Sequence, residues 1–543
     1  MKWIDLEHRW TKILLTAGLY VIATACNPAI QRIDPAPVPT AAPSDSRIAA
    51  TASFENSESP EENRLPDGPL ALTVEGAILM SLENNRSLVV ERLNPAIEKT
   101  FEQQEQAVFD PVLGAEGSVG RDKAERLARS GSDTENFNTD TLDGFIDMAQ
   151  FFPTGTTVTV EGTTRATDSS LYDNTFYATR FGLSFTQAIL RGYGTEVNLA
   201  TLRQAMLDTR FSAYELRGFT EFLVAEVEKT FWDFALARRR IEIFEESLKL
   251  ARQQLEETRE LITVGRLAEA ELPAVQAEVA AQEQGLINAR SEMETIHLRL
   301  LRLLNPPGED LWQRKIELIY QPRLPEIELD AVEDSVAVAL RMRPVINQAM
   351  LSVQRDDLQL VKTRNGLLPL VDLFVTLGKS GYADSFGESF SNLDGDSYDA
   401  LAGVRFEYPL RNRAADARHQ RALLTREQSE KALKNLSQLV EVDVRSAYIE
   451  VNRTKQQIAA SAATRAFNEE KLRTETEKLR VGRSTSILLA QAQRDLLVSR
   501  ITEVESLANY LKSLVDLYLN EGSLLLRRGI DAPGENPVTA SIR

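Results

Sequence analysis

The sequence predicts an internally duplicated α+β chain: helix, strands, very long helix, turn and returning helix, in that order, twice. Three observations carry this. The first is a repeat. Leu82 aligns with Leu340, Asn85 with Arg343 and Pro111 with Pro369 at an offset of 258. "QAILRG" at 187–192 then aligns with "YPLRNR" at 408–413 at an offset of 221, and Val264-Gly265-Arg266 with Val481-Gly482-Arg483 at 217. Landmarks that keep their order over such distances mark a duplication rather than chance likeness. The second is length without a breaker. From Ala414 to Val481 there are 68 residues with no Gly or Pro, and from Thr195 to Val264 only Gly218. Such a helix is about 100 Å long at 1.5 Å per residue, more than a compact domain needs. The third is a change of period between the helices.

There the apolar residues recur every second position. "TRFGLSFTQ" sets Phe181, Leu183 and Phe185 against Gly182, Ser184 and Thr186. "VDLFVTLGKS" sets Val371, Leu373, Val375 and Leu377 against Asp372, Phe374, Thr376 and Gly378. "LAGVRFEYPL" sets Ala402, Val404, Phe406 and Tyr408 against Gly403, Arg405 and Glu407. Strands of about 9–11 residues with one apolar and one polar face suit a membrane barrel. A soluble barrel or sandwich with a buried apolar face fits the alternation as well. The first half also carries 37 surplus residues (258 − 221), within which "GFIDMAQFFPTGTTVTVEGTTRA" has a Pro153-Thr154-Gly155 turn between two strand-like runs. An added hairpin is expected there.

The chain of 543 residues carries a formal charge of −18, with 43% hydrophobic and 26% charged residues. That excludes a general basic surface for nucleic acid, and an acidic surface by itself means only solubility. The single cysteine, Cys26, excludes a disulfide framework and a cysteine-cluster metal site. Lys2, Arg9 and Lys12 precede "ILLTAGLYVIATAC", an apolar stretch of signal-peptide length. Ala23, Thr24 and Ala25 before Cys26 resemble a bacterial lipobox, departing from it at Ala23, where that pattern usually has Leu. Lipidation at Cys26 is expected, with an ordinary signal peptide as the alternative. The expected organisation is signal peptide 1–25, lipidated flexible linker 26–68, first repeat 69–308, linker 309–328, second repeat 329–528 and C-terminal tail 529–543. Beyond the signal no apolar run is long enough for a transmembrane helix.

Taken together, these features resemble the TolC-like outer-membrane efflux protein family over roughly residues 70–528. The likeness rests on the paired openings "LTVEGAILMSLENNRSLVVER" and "DAVEDSVAVALRMRPVINQ", on Pro111 and Pro369, on "TQAILRGYGTEVNLATLRQA", and on the long helix with its turn and return. The resemblance implies a homotrimer in outer-membrane lipid. Each subunit would give four strands to a 12-stranded barrel and its helices to a periplasmic tunnel, although the extra hairpin puts the four-strand count in question. It also implies a periplasmic adaptor protein at the tips, with Val264, Gly265, Arg266, Val481, Gly482 and Arg483 as candidates, and an inner-membrane pump beyond. Some members close the tip with a carboxylate ring. The corresponding positions here are Leu488 and Gln491, so the acidic ring is missing and an apolar constriction is the expected substitute.

No cofactor, catalytic or metal site is expected. His8, His297 and His419 lack ligand-spaced partners, and neither a P-loop nor a GxSxG elbow occurs. The Glu residues of the long helices read as solvated faces. The expected function is a passive exit duct for efflux or type I secretion. The rivals are a non-transporting periplasmic helical scaffold, which would bury its apolar strand faces, and a hydrolytic enzyme on a helical stalk.

Overall fold

A computed structural model describes residues 69–127, 131, 134–170, 173–308, 311–319, 329–534 and 536–538. The signal segment, Cys26 and the linker to residue 68 lie outside the described residues.

The first half opens with strand β1 (Leu70–Leu72) and helices α1 (Val74–Asn84), α2 (Arg86–Glu91) and α3 (Asn94–Gln106). Thr73 and Asn85 start the first two helices by accepting from the Gly76 and Leu88 amides, the side-chain capping that free helix N-termini require. Four strands follow: β2 (Val112–Leu127), β3 (Thr134–Phe152), β4 (Thr156–Ser169) and β5 (Phe176–Ala188). Helix α4 (Ala200–Thr263) then runs for 64 residues and α5 (Leu272–Leu304) returns. After the short strand β6 (Ile316–Leu318), the second half repeats the order with α6 (Val332–Met342), α7 (Pro344–Asn365), β7 (Leu370–Ala383), β8 (Tyr398–Glu407), the 68-residue α8 (Arg413–Arg480) and α9 (Ser486–Glu521).

The duplication is visible in the packing. α1 lies on α4 and α5 as α6 lies on α8 and α9, and α3 lies on α4 as α7 lies on α8. One core joins the halves. In it α4 buries Val224, Val227, Phe231 and Phe234, spaced three and four apart as one helix face requires. They meet Leu300, Leu301 and Leu304 of α5, Val440, Val444 and Val451 of α8, and Tyr510, Leu514 and Leu517 of α9. A fully buried Phe or Leu contributes about 1.5–3 kcal/mol.

The strands form one antiparallel sheet in the order β2-β3-β4-β5-β7-β8. Six strands replace the four implied by the resemblance. The two extra are β3 and β4, which fill the place of the 37 surplus residues. The expected turn is there: Gly155 has φ 86° and its amide donates to Phe152. Five of the six strands, β2 to β5 and β7, exceed the expected length, β2 and β3 most, at 16 and 19 residues. The stretch 309–328 is the expected linker between the repeats. It holds β6, which pairs in parallel with β1, Leu70 opposite Ile316, and buries Leu70, Leu72 and Ile316 in the core.

Candidate functional site

The register of the sheet assigns every strand residue to one of two faces. Val119 lies opposite Leu142, Ile146 opposite Gly162, Val160 opposite Leu183, Phe185 opposite Val375, and Leu373 opposite Val404. Because side chains alternate, these residues share one apolar face that crosses all six strands. It is not covered. Val119 is 83% exposed, Ile146 55%, Phe181 53% and Phe406 69%. A continuous exposed apolar face of this extent marks an interaction with something apolar.

The opposite face carries Asp143, Asp147, Glu161, Arg165, Arg180, Asp372, Asp399 and Arg405, with Thr159, Thr163, Ser184, Thr186 and Thr376 between them. Arg180 of β5 links three strands, β4, β5 and β8, reaching across β7. Its guanidinium pairs with Glu161 of β4 and, at 2.9 Å, with Asp399 of β8. The intervening strands make room through Gly182 and Gly378, which lie directly opposite each other. A Cβ on Gly378 would come within 2.3 Å of Asp399 Oδ1, and one on Gly182 within 2.7 Å of Glu161 Oε1. Arg165 pairs with Asp143 on the same face.

At the helix ends the two Val-Gly-Arg turns are copies of each other. α4 ends at Thr263 and α8 at Arg480, and Gly265 and Gly482 both have φ 73°. The amides of Arg266 and Arg483 each donate 2.8 Å back to the carbonyls of Leu261 and Lys478. These are glycine-terminated helix ends in which the sixth amide closes on the first carbonyl. Open space surrounds both glycines, so the left-handed backbone, rather than crowding, calls for Gly. Val264 and Val481 are 68% and 69% exposed, and the Arg266 and Arg483 side chains project into solvent.

The two turns are brought together. Glu271, beside the first turn, accepts from the Ser486 amide at the start of α9, 2.9 Å away, an anion placed on a helix N-terminus. Farther along, Arg494 of α9 meets the buried Glu278 of α5 at 3.4 Å. Leu488 and Gln491 follow on one exposed side of α9.

Two features escaped the sequence reading. Arg217 and Glu221 of α4, spaced like a surface pair, are each 2% exposed and 3.1 Å apart. The tail covers them: Arg217 donates 3.2 Å to the Gly534 carbonyl, Tyr214 donates to Asn536, and the Val538 amide donates 2.7 Å to Asn347. Burial pushes the Glu221 carboxyl up to about 7, against the opposing pull of Arg217. Glu228 is buried likewise and paired with Arg528 at 2.6 Å. His297 contacts the Arg314 carbonyl and His419 the Thr363 hydroxyl, which gives both structural partners. Among the described residues no cluster suits a metal ion, and no helix is long and apolar enough to cross a membrane.

The fold is shared with solved channels. The outer-membrane channel OprN superposes with a TM-score of 0.62 at 16% identity, covering 83% of this chain and 90% of that one. The Campylobacter jejuni CmeC outer membrane channel gives 0.62 at 14%, covering 89% and 94%. CusC, described in terms of transmembrane channel formation, gives 0.61 at 16%, covering 88% and 99%. No curated protein matches significantly by sequence. The family described as outer membrane efflux protein matches residues 146–306 and 336–523. These two segments are well over half of the chain and hold the sheet from β3 onward, both long helices and both turns, so the chain belongs to the outer membrane efflux protein family, whose members are transport ducts and not enzymes.

Proposed function

We propose that the chain is the passive exit duct of a tripartite efflux or type I secretion system in the outer membrane of a Gram-negative-type bacterium. Three copies join edge to edge. The apolar sheet face meets lipid, the polar face lines water, and the long helices form a periplasmic tunnel. The observation that carries this reading is the uncovered apolar face backed by a charged one. A periplasmic scaffold would bury that face. Cys26 is the lipid-bearing first residue of the mature chain, a second hold on the same membrane.

Two edges remain open, β2 and β8, and open edges are pairing sites. The helix layer below has the same order and the same ends, α3-α4-α7-α8. At one end Leu93, just before α3, and Ile97 and Phe101 within it are exposed, flanked by Glu98, Glu102 and Glu105. At the other, an open groove is lined by Arg191, Arg411, Arg413 and Arg418, with Leu423 and Leu424 exposed just beyond. Opposite charge and apolar surface on the two ends fit a second copy of this chain. The detergent-solubilised protein is expected to have the mass of a trimer and to raise conductance across a planar bilayer. A monomer that stays in water after signal removal would overturn the reading.

Among the described residues no cluster suits a metal ion, and an inner-membrane pump, joined through a periplasmic adaptor protein, supplies the work. The adaptor sits on the paired turns around Val264-Gly265-Arg266 and Val481-Gly482-Arg483, and Leu488 and Gln491 narrow the tunnel just above. Reversing both charges, Arg266→Glu with Arg483→Glu, is expected to reduce adaptor crosslinking several-fold while the trimer mass is unchanged. Undiminished crosslinking would remove the arginines from the contact.

A further inference from the structure

We infer that the inserted β3–β4 hairpin is part of the barrel wall, so that each copy supplies six strands and the barrel has eighteen, three times six. This rests on the trimeric membrane duct proposed above and specifies its bore.

Four observations converge. First, β3 and β4 lie inside the sheet, between β2 and β5, with every residue from Thr139 to Phe152 opposite one of β4. Second, the apolar face continues across them without a gap. Leu142, Ile146 and Met148 of β3 and Val158 and Val160 of β4 stand in line with Val119 on one side and Leu183 and Phe185 on the other. A hairpin projecting into water would have no reason to keep that face. Third, its turn is fixed at the helix end of the sheet. The Gly194 amide donates 3.2 Å to the Thr154 carbonyl and Asn198 Nδ2 donates 3.0 Å to that of Pro153. Fourth, the widths agree. Six strands about 4.8 Å apart and tilted by about 40° span about 38 Å of wall. The four helices below, at about 8–10 Å each, span about 32–40 Å. Four strands would span only about 25 Å on the same basis, and the wall would have to pinch where it meets the tunnel.

The even count also preserves closure. β2 leaves the helix layer and β8 returns to it, so β2 of one copy meets β8 of the next antiparallel, as every other pair in the sheet does. Three such sheets give a ring about 36 Å across between backbones, in the range of barrels that hold an aqueous channel. The duct is then as wide at the membrane as in its helical part.

The test uses the full chain in vesicles of brominated phosphatidylcholine. A bimane-labelled cysteine is added singly at Ile146, Val160, Leu183 or Val375, with Thr163 and Thr376 as polar-face controls and the parent chain as blank. Emission at 146 and 160 is expected to fall as far as at 183 and 375, with the controls unchanged and a trimeric mass. Quenching at 183 and 375 alone overturns the eighteen-stranded wall and leaves the duct standing with four strands per copy. Quenching at none of the four removes the membrane barrel and this inference with it. Quenching at all four with a mass other than the trimer overturns the count of eighteen.

Discussion

Arg217→Met is expected to destabilise the protein by about 3–5 kcal/mol at pH 8, the loss typical of a buried pair stripped of one partner. The change leaves Glu221 in a site where both side chains are 2% exposed, and it removes the hydrogen bond to Gly534. The tail from Gly534 to Val538 should loosen with it. The pH dependence gives the check. The folded-state Glu221 lies at about 7, above its ordinary value of 4.5. Its stabilising contribution is therefore complete below about 4.5 and is lost as pH rises through 7, because the folded state holds the proton more tightly. Melting curves of the purified protein between pH 5 and 8 should fall toward pH 8 in the parent. The fall should be steeper in Arg217→Met and flatter in Glu221→Gln. Equal pH profiles in the three proteins would mean that the pair does not carry a buried charge.

Val375→Arg and Thr376→Arg are neighbours in β7 with opposite expected outcomes. Val375 stands on the apolar face beside Phe185, whereas Thr376 faces Ser184 on the polar side, with their hydroxyls 3.3 Å apart. An arginine on the lipid side near mid-membrane costs about 2–4 kcal/mol, and one facing the channel costs little. Urea titration in lipid vesicles should separate the two by that amount. Equal stability would mean that the apolar face does not meet lipid.

The long helices and both turns were legible because their signals are local: no breaker for 68 residues, then Gly where the backbone turns left-handed. Strands β5, β7 and β8 were legible from alternation, and β3 and β4 from the Pro153-Thr154-Gly155 turn between two strand-like runs. β2 was not, because "GAEGSVGRDKAERL" dilutes its apolar face with glycine and charge. Only Pro111 marked its start. The β1–β6 pair joins Leu70 to Ile316, and three-residue strands so far apart in the chain leave no periodic trace. Arg217–Glu221 defeated the reading differently. Its spacing is that of a solvated helical pair, and only the tail folding back from residue 534 makes it interior. The Val-Gly-Arg turns end the long helices where the backbone pattern put them, but the Glu271–Ser486 bond between the turns was not legible, since it depends on how two hairpins lie side by side.

That bond has a mechanical corollary. Charge-assisted hydrogen bonds are worth about 1.5–3 kcal/mol, and this one spans the two repeats at the end farthest from the sheet. One hairpin cannot swing away alone without forfeiting it, so the two turns of one chain move as a single stiff jaw. In the trimeric duct proposed above, widening its far end means shifting whole subunits past one another, with the hinge in the seams between copies.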